Sequence, residues 1–426
     1  MENGIYYPED KLPLARLIPM GMQHVVAMFG ATVLAPILMG FNPQTAIFFS
    51  GIGTLLFIVI TRAKVPSYLG SSFAFIGPVL AVTGGAAEKI PFALCGIAGA
   101  AVLYALAGAA TVKYGSKWID RLMPPVVTGA VVALIGLNLS SAAVGNFINS
   151  DFRLAGGRDA LKLLAACVTF SVAAAVSIYF RGFLRLLPIL TGVVVGYALS
   201  LLLGIIGPGQ LAAIHDAAWL GLPPFTAPAF SFEALLVIAP VFVVLVAENK
   251  GHIEAISGYM KRDLGPHLGR AYLGDAAASF VSAMGGGTPQ TTYAENMGVM
   301  AITRVFSVYN FMAAACIALL LGLCPKFGAV ILSIPGPVLG GVTLILYGLI
   351  AMMGIKIWLD AKVDFCSHKN LIIAGSSLII ATGLGVKGVT VGSVNIAGIA
   401  FGTVFAVLIN LALSLGGAEE KDGTCA

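Results

Sequence analysis

Charge is scarce in this chain. Lys, Arg, Asp and Glu together make up 10% of the residues, against roughly 25% in a soluble globular protein. Polar stretches are also short, so no soluble domain fits between the apolar runs. No Walker A string is present, which argues against ATP coupling within this chain, and no His/Cys/Asp/Glu group has metal-ligand spacing. The six cysteines form no CxxC pair and mostly lie in apolar runs, where they read as small packing residues. The polar, mixed-charge start from Met1 to Lys11 does not read as a cleavable signal. No cofactor, metal or nucleic-acid partner is expected.

What is abundant is apolar sequence. Hydrophobic residues make up 58% of the chain and the mean hydropathy is +0.97. Runs of about 20 apolar residues recur, each long enough to cross a hydrocarbon core of about 30 Å. The pattern predicts an all-α polytopic membrane protein with fourteen segments, near 15–39, 45–61, 72–84, 91–112, 122–145, 160–180, 186–206, 230–253, 268–286, 294–305, 308–323, 328–354, 370–386 and 390–415. The third and tenth are too short to cross as full helices. Both begin in Gly/Ser/Thr-rich sequence, Gly70-Ser71-Ser72 and Gly285-Gly286-Gly287-Thr288-Pro289. They read as broken segments containing short β-strands.

Basic residues orient the segments. Lys113, Lys117, Arg121, Arg181, Arg185, Lys261, Arg262, Arg270, Arg304 and Lys421 fall on one side with others, against Lys89, Arg153, Arg158, Lys162, Lys326 and Lys387 on the other. The bias is roughly three to one and places both termini in the cytoplasm. The long gap from Gly207 to Phe230 has no Lys or Arg and reads as an external loop.

The halves repeat. PPVVTGAVVALIGL at 124–137 aligns without gaps on GPVLGGVTLILYGL at 336–349, with nearly half the positions identical. Ser72-Phe73-Ala74 likewise matches Thr292-Tyr293-Ala294. Seven segments per copy is odd, so the second copy is inverted. Paired broken helices in inverted repeats mark a transporter and place its site near the midplane.

Ionisable residues inside apolar segments are costly and therefore candidates for function. Glu248 and His252 are four apart and share one helical face. A desolvated carboxylate there could exchange protons near neutral pH, tuned by the histidine; the pair could instead simply bond neighbouring helices. Lys250 lies about 200° round the helix from Glu248 and reads as snorkelling or pairing elsewhere. Glu295 follows the extended stretch Thr291-Thr292-Tyr293-Ala294, whose free N–H groups, with those of Phe73, could bond a polar cargo. Its alternative is an ordinary first-turn helix residue. Phe73 could stack on a flat ring or only pack. Asp275 could bond a broken helix or relay protons, and His24 reads as a bond between helices. Tyr293 and Asn296 complete the candidate set.

The strings GMQHVVAMFGATVLAP (21–36), VPSYLGSSFAFIGPV (65–79), RLMPPVVTGAVVALIGLNL (121–139), AENKGH (247–252) and TTYAENMGVMAITRV (291–305) resemble the nucleobase–cation symporter 2 (nucleobase:ascorbate transporter) family, in its uracil/pyrimidine permease branch. The resemblance implies a core domain from residues 1–118 and 229–325, a gate domain from 119–228 and 326–415, and a cytoplasmic tail at 416–426. It implies substrate binding by Glu248, Glu295, Phe73, Tyr293 and Ala294 and proton coupling through Glu248 and His252, with His24, Asp275 and Asn296 secondary. The expected activity is uracil import by proton symport across a bacterial inner membrane, by alternating access, with lipid around the protein and dimerisation possible through the gate domains. His252 and Glu295 favour a pyrimidine over the xanthine/urate members. An anion exchanger on the same fold, or a membrane enzyme, are the weaker alternatives. The sequence departs from many members at Asn249, Lys250 and Ala294.

Overall fold

The computed structural model describes residues 5–148, 156–181, 184–185, 187–385, 388–391 and 394–415. Arg153, Lys387, Lys421, Cys425 and the tail at 416–426 lie outside the described residues.

Among the described residues, seven helices are long and apolar enough to cross a membrane: Leu14–Met39, Pro43–Ile60, Ala87–Tyr114, Pro125–Gly145, Gly157–Tyr179, Phe232–Met260 and Gly336–Asp360. They are the first, second, fourth, fifth, sixth, eighth and twelfth segments. The seventh (Pro188–Leu202), ninth (Leu268–Met284), eleventh (Val308–Gly322) and thirteenth (His368–Leu384) are shorter helices. Local chemistry sets the ends. Asn42 accepts from the backbone N–H groups of Gln44 and Thr45 and so caps the second segment, with Pro43 at its first turn. Pro240 cannot donate to the helical ladder, and the eighth segment passes through a 3-10 turn at Ala239–Val241.

The third and tenth segments are broken as the sequence predicts. Strand β1 (Leu69–Ser71) leads into the half-helix Phe73–Thr83, and strand β2 (Gln290–Thr292) leads into Ala294–Thr303. The strands pair antiparallel with Leu69 opposite Thr292, Gly70 opposite Thr291 and Ser71 opposite Gln290. Backbone at this depth must be satisfied by protein. Thr54 bonds the Leu69 backbone on one side, and Ser279 both donates to and accepts from the Gln290 backbone on the other.

Three segments differ from expectation. The eighth was expected at 230–253, but its helix runs on to Met260. The twelfth was expected at 328–354, but Pro325–Leu332 is a separate short helix bent 82° from the eleventh segment, and the long helix starts at Gly336. The Ser333-Ile334-Pro335 link precedes that start, where proline fits a helix entry but not its interior. The fourteenth was expected at 390–415; it is a hairpin of β3 (Val389–Val391) and β4 (Val394–Ile396) followed by the helix Gly398–Leu415. Apolar content alone does not separate β-branched strand from helix. Cys366 is disulfide-bonded, so the packing reading does not hold for it, whereas Cys95, Cys167, Cys316 and Cys324 are free.

The most extensive helix pairings stay within two sets. The fourth packs on the ninth, and the second on the ninth and eleventh; separately, the fifth packs on the twelfth, the sixth on the seventh and twelfth, and the thirteenth on the fourteenth. The fifth and twelfth meet backbone to backbone. A Cβ added at Gly136 would sit 2.2 Å from the Tyr347 carbonyl oxygen, so only glycine admits this approach.

The N-terminal stretch meets the connections that follow the eighth and tenth segments. Arg262 bonds Glu9 at 2.8 Å and stacks over Tyr7, and Tyr6 bridges to Val305. On the opposite side the expected loop contains a short helix, Pro208–Asp216, followed by a strap at 217–230. The strap is stitched down along its length: Gly221 N–H donates to Leu323 O, Thr226 N–H to Gly285 O and Ala229 N–H to Pro91 O, and Thr45 donates to Pro224 O. Phe225 packs against Phe48 and Phe49.

Candidate functional site

Where the two strands meet, the half-helices Phe73–Thr83 and Ala294–Thr303 point their starts at one another. The first N–H groups of each have no partner within the helix. The site follows from that: polar backbone fixed at mid-depth, faced by side chains of the eighth segment. A cavity of about 500 Å³ lies here, lined by Phe73, Glu248, His252, Thr291, Thr292, Tyr293, Ala294 and Glu295. The fifth segment closes it with Thr128, Val132 and Ile135. The lining continues past Ala255 and Tyr259 to Lys356 and Asp360, so the cavity reaches the end of the molecule that carries Glu9 and Arg262.

The charges are placed by packing. Glu248 Oε2 is buried with no protein partner. An acceptor left bare in the fold is available to a donor that enters from outside. His252 Nδ1 lies 2.8 Å from Thr292 Oγ1, which ties the eighth segment to β2. Phe73 is nearly buried and meets Tyr347 edge to face at 6.0 Å.

Tyr293 lines the cavity, but its hydroxyl is engaged elsewhere, donating to Ser71 O at 3.1 Å and accepting from Thr32 Oγ1 at 3.1 Å. Its ring lies over Gly70, where an added Cβ would come 2.5 Å from Tyr293 Cζ. Thus Tyr293 locks β1 to β2 and offers the cavity only ring and backbone.

Three candidates stand behind the cavity rather than in its lining. Asp275 accepts from Asn249 Nδ2 and is fully buried. Asn296 Nδ2 donates to His24 Nδ1 at 3.1 Å and to His24 O at 3.0 Å, while His24 packs its ring on Phe311. The first bond ties the ninth segment to the eighth, and the other two brace the half-helix Ala294–Thr303 against the first segment. Lys250, whose surroundings were in doubt, turns from Glu248 to Asp120, at 2.7 Å, with Glu254 at 3.7 Å. Sequence reasoning missed Thr292 as the partner of His252, and missed Thr128 and Val132. The last two sit inside the repeated string at 124–137, which was the available signal.

Comparison with known proteins decides the family. A family profile described as "Permease family" matches residues 15–392. The chain belongs to this nucleobase:cation symporter 2 permease family. It is a multi-pass membrane transporter and not an enzyme. Among its relatives, the protein named "Putative pyrimidine permease RutG" of Escherichia coli (strain K12) is 45% identical over 97% of this chain and 93% of that protein. The uracil permease of the same organism is 41% identical over 95% and 93%. Among solved structures, the transmembrane domain of the cyanobacterial bicarbonate transporter BicA superposes with a TM-score of 0.64 at 14% identity, covering 96% of this chain and all of that one. Murine Slc26a9, an anion transporter captured facing inward, gives 0.66 at 11% identity over 96% and 70%. The permease therefore has the inverted 7+7 fold of those transporters.

Proposed function

We propose that this permease imports uracil, or a closely related pyrimidine base, together with protons. The observation that carries the reading is the pair Glu248 and Glu295 in one cavity with the free backbone donors of Phe73 and Ala294. A pyrimidine dione offers N–H groups flanked by carbonyls; carboxylates accept from the former and amides donate to the latter. Relatives named for uracil and pyrimidine transport support the same cargo. Two carboxylates facing one cavity disfavour an anionic cargo, despite the fold shared with anion transporters.

The uptake of a neutral base against a gradient needs a coupling ion. Glu248 and His252, which line the cavity together, are assigned to proton coupling. Segments 1–4 with 8–11 form the core domain and 5–7 with 12–14 the gate domain, a division that the helix pairings support. The protein resides in a bacterial inner membrane with both ends cytoplasmic, and the conformation described here is open to the cytoplasm through the Lys356 and Asp360 end of the cavity. Displacement of the core against the gate then exposes the site to the outside. Lipid contact and a dimer through the gate domains belong to the same reading.

The test is uptake of labelled uracil into proteoliposomes with and without an inward proton gradient. Stimulated uptake that excess xanthine does not block is expected. Glu248→Gln and Glu295→Ala should each lose transport while still inserting; near-normal uptake by both would remove the assignment.

A further inference from the structure

The bond between His252 and Thr292 decides more than a contact. Thr292 is the last residue of β2, is 1% exposed, and its hydroxyl lies 2.8 Å from His252 Nδ1. Two proton placements satisfy that distance. If the ring donates from Nδ1, the Thr292 hydroxyl hydrogen needs a second acceptor, and the described structure gives that hydroxyl no other partner. A buried O–H without an acceptor is costly. If the hydroxyl donates, both its hydrogen and the Nδ1 lone pair are satisfied. The proton of the neutral ring then sits on Nε2, because the bond made by one ring nitrogen sets the state of the other. His252 lines the cavity, and its Nε2 is not among the buried polar atoms shut off from both solvent and partners.

We propose that Thr292 is a positioning residue that holds His252 as the Nε2–H tautomer, so that the ring presents a donor to a carbonyl oxygen of the cargo. The proposal rests on the pyrimidine reading above for the identity of that carbonyl, and on the hydrogen-bond geometry alone for the tautomer. It extends the cavity's recognition pattern: Glu248 and Glu295 accept from ring N–H groups, and His252 donates to an oxygen. A ring carrying an amino group in place of that oxygen would meet donor with donor. Cytosine should therefore compete poorly.

The tautomer is read directly by solid-state NMR of the full chain in liposomes, with ¹⁵N-labelled histidine and no cargo. The chain has five histidines, and the His252 signals are assigned by their loss in His252→Gln. The expected result is an Nε2–H ring in the wild type, a shift toward Nδ1–H or a mixture in Thr292→Val, and restoration in Thr292→Ser. An Nδ1–H ring in the wild type, or no change in Thr292→Val, overturns the proposal; the wild-type spectrum alone can do so should the valine variant misfold. Uptake of labelled uracil supplies the functional arm. Thr292→Val should raise KM about tenfold, which is about 1.4 kcal/mol of binding, and by more than it lowers the maximal rate, with Thr292→Ser close to wild type. An Nε2–H wild type in a protein that carries no uracil would overturn the cargo and leave the tautomer standing.

Discussion

Gly136 and Gly348 are partners in the aligned repeat strings, yet the structure predicts opposite outcomes for the same substitution. At Gly136 a new Cβ would lie 2.2 Å from Tyr347 O and 2.6 Å from Ala351 N, both backbone atoms of the facing helix. Ordinary contact begins at 3.4 Å. Neither neighbour can rotate aside, so the fifth and twelfth segments must separate by about 1 Å along a tightly packed seam, at the roughly 1–3 kcal/mol typical of overpacking. At Gly348 nothing lies within 4 Å of the new atom. There the substitution only removes backbone freedom from a helix interior, a gain of roughly 0.5–1 kcal/mol. The same gain partly offsets the loss at Gly136. The two alanine variants should therefore differ by about 1–3 kcal/mol, with Gly136→Ala below the wild type and Gly348→Ala at or slightly above it. Heating purified protein in detergent and following the monodisperse fraction, at one scan rate because unfolding is irreversible in such proteins, should separate the two by several degrees. Equal midpoints for the two variants, or a Gly136→Ala protein as stable as the wild type, would refute the close-packed seam.

Two further substitutions test the supports around the cavity. Tyr293→Phe removes the donor to Ser71 O and strands the Thr32 hydroxyl, which should cost about 1–2 kcal/mol and weaken uracil uptake; wild-type behaviour in both assays would show that the tyrosine does not lock the strands. Asp120→Asn takes the close partner from Lys250, whose side chain is 9% exposed, while Asp120 itself is 52% exposed. The expected loss of about 1–2 kcal/mol lies between exposed and buried pairs, because Glu254 remains nearby. A double-mutant cycle with Lys250→Met should return a coupling energy, and additivity would mean the pair contributes nothing.

Much of the fold was legible because its physics is one-dimensional. A bilayer demands long apolar runs, and Gly285-Gly286-Gly287-Thr288-Pro289 before Thr291-Thr292-Tyr293 cannot continue a helix. The paired carboxylates were legible for a related reason: a charge at membrane depth stands out against its neighbours. What escaped was pairing. Nothing in the spacing of Thr292 and His252 indicates that they touch, since the contact depends on where β2 crosses the eighth segment. The hairpin at Val389–Val391 and Val394–Ile396 was hidden because a short stretch rich in β-branched residues, flanked by apolar sequence, serves a strand or a buried helix equally. The direction taken by Lys250 followed from helix geometry, but its partner Asp120 did not.

The strap at 217–230 leads from the seventh segment to the eighth, but the bonds described for it fall at the ends of the second, fourth, ninth and eleventh. Any displacement of the one helix set against the other carries the strap along with the latter group. The chain must then bend earlier, in the stretch Leu203–Gly207, where Gly204 already has a positive φ of 65°. The connection from the eleventh segment to the twelfth offers its counterpart at Ser333-Ile334-Pro335. Tyr197 and Ser333 hydroxyls meet there at 2.7 Å, and Lys326 reaches the His215 carbonyl just beyond. These bonds tie the seventh segment and the short helix after it to the connection between the eleventh and twelfth, so any displacement of one helix set against the other must either move the two connections together or break them.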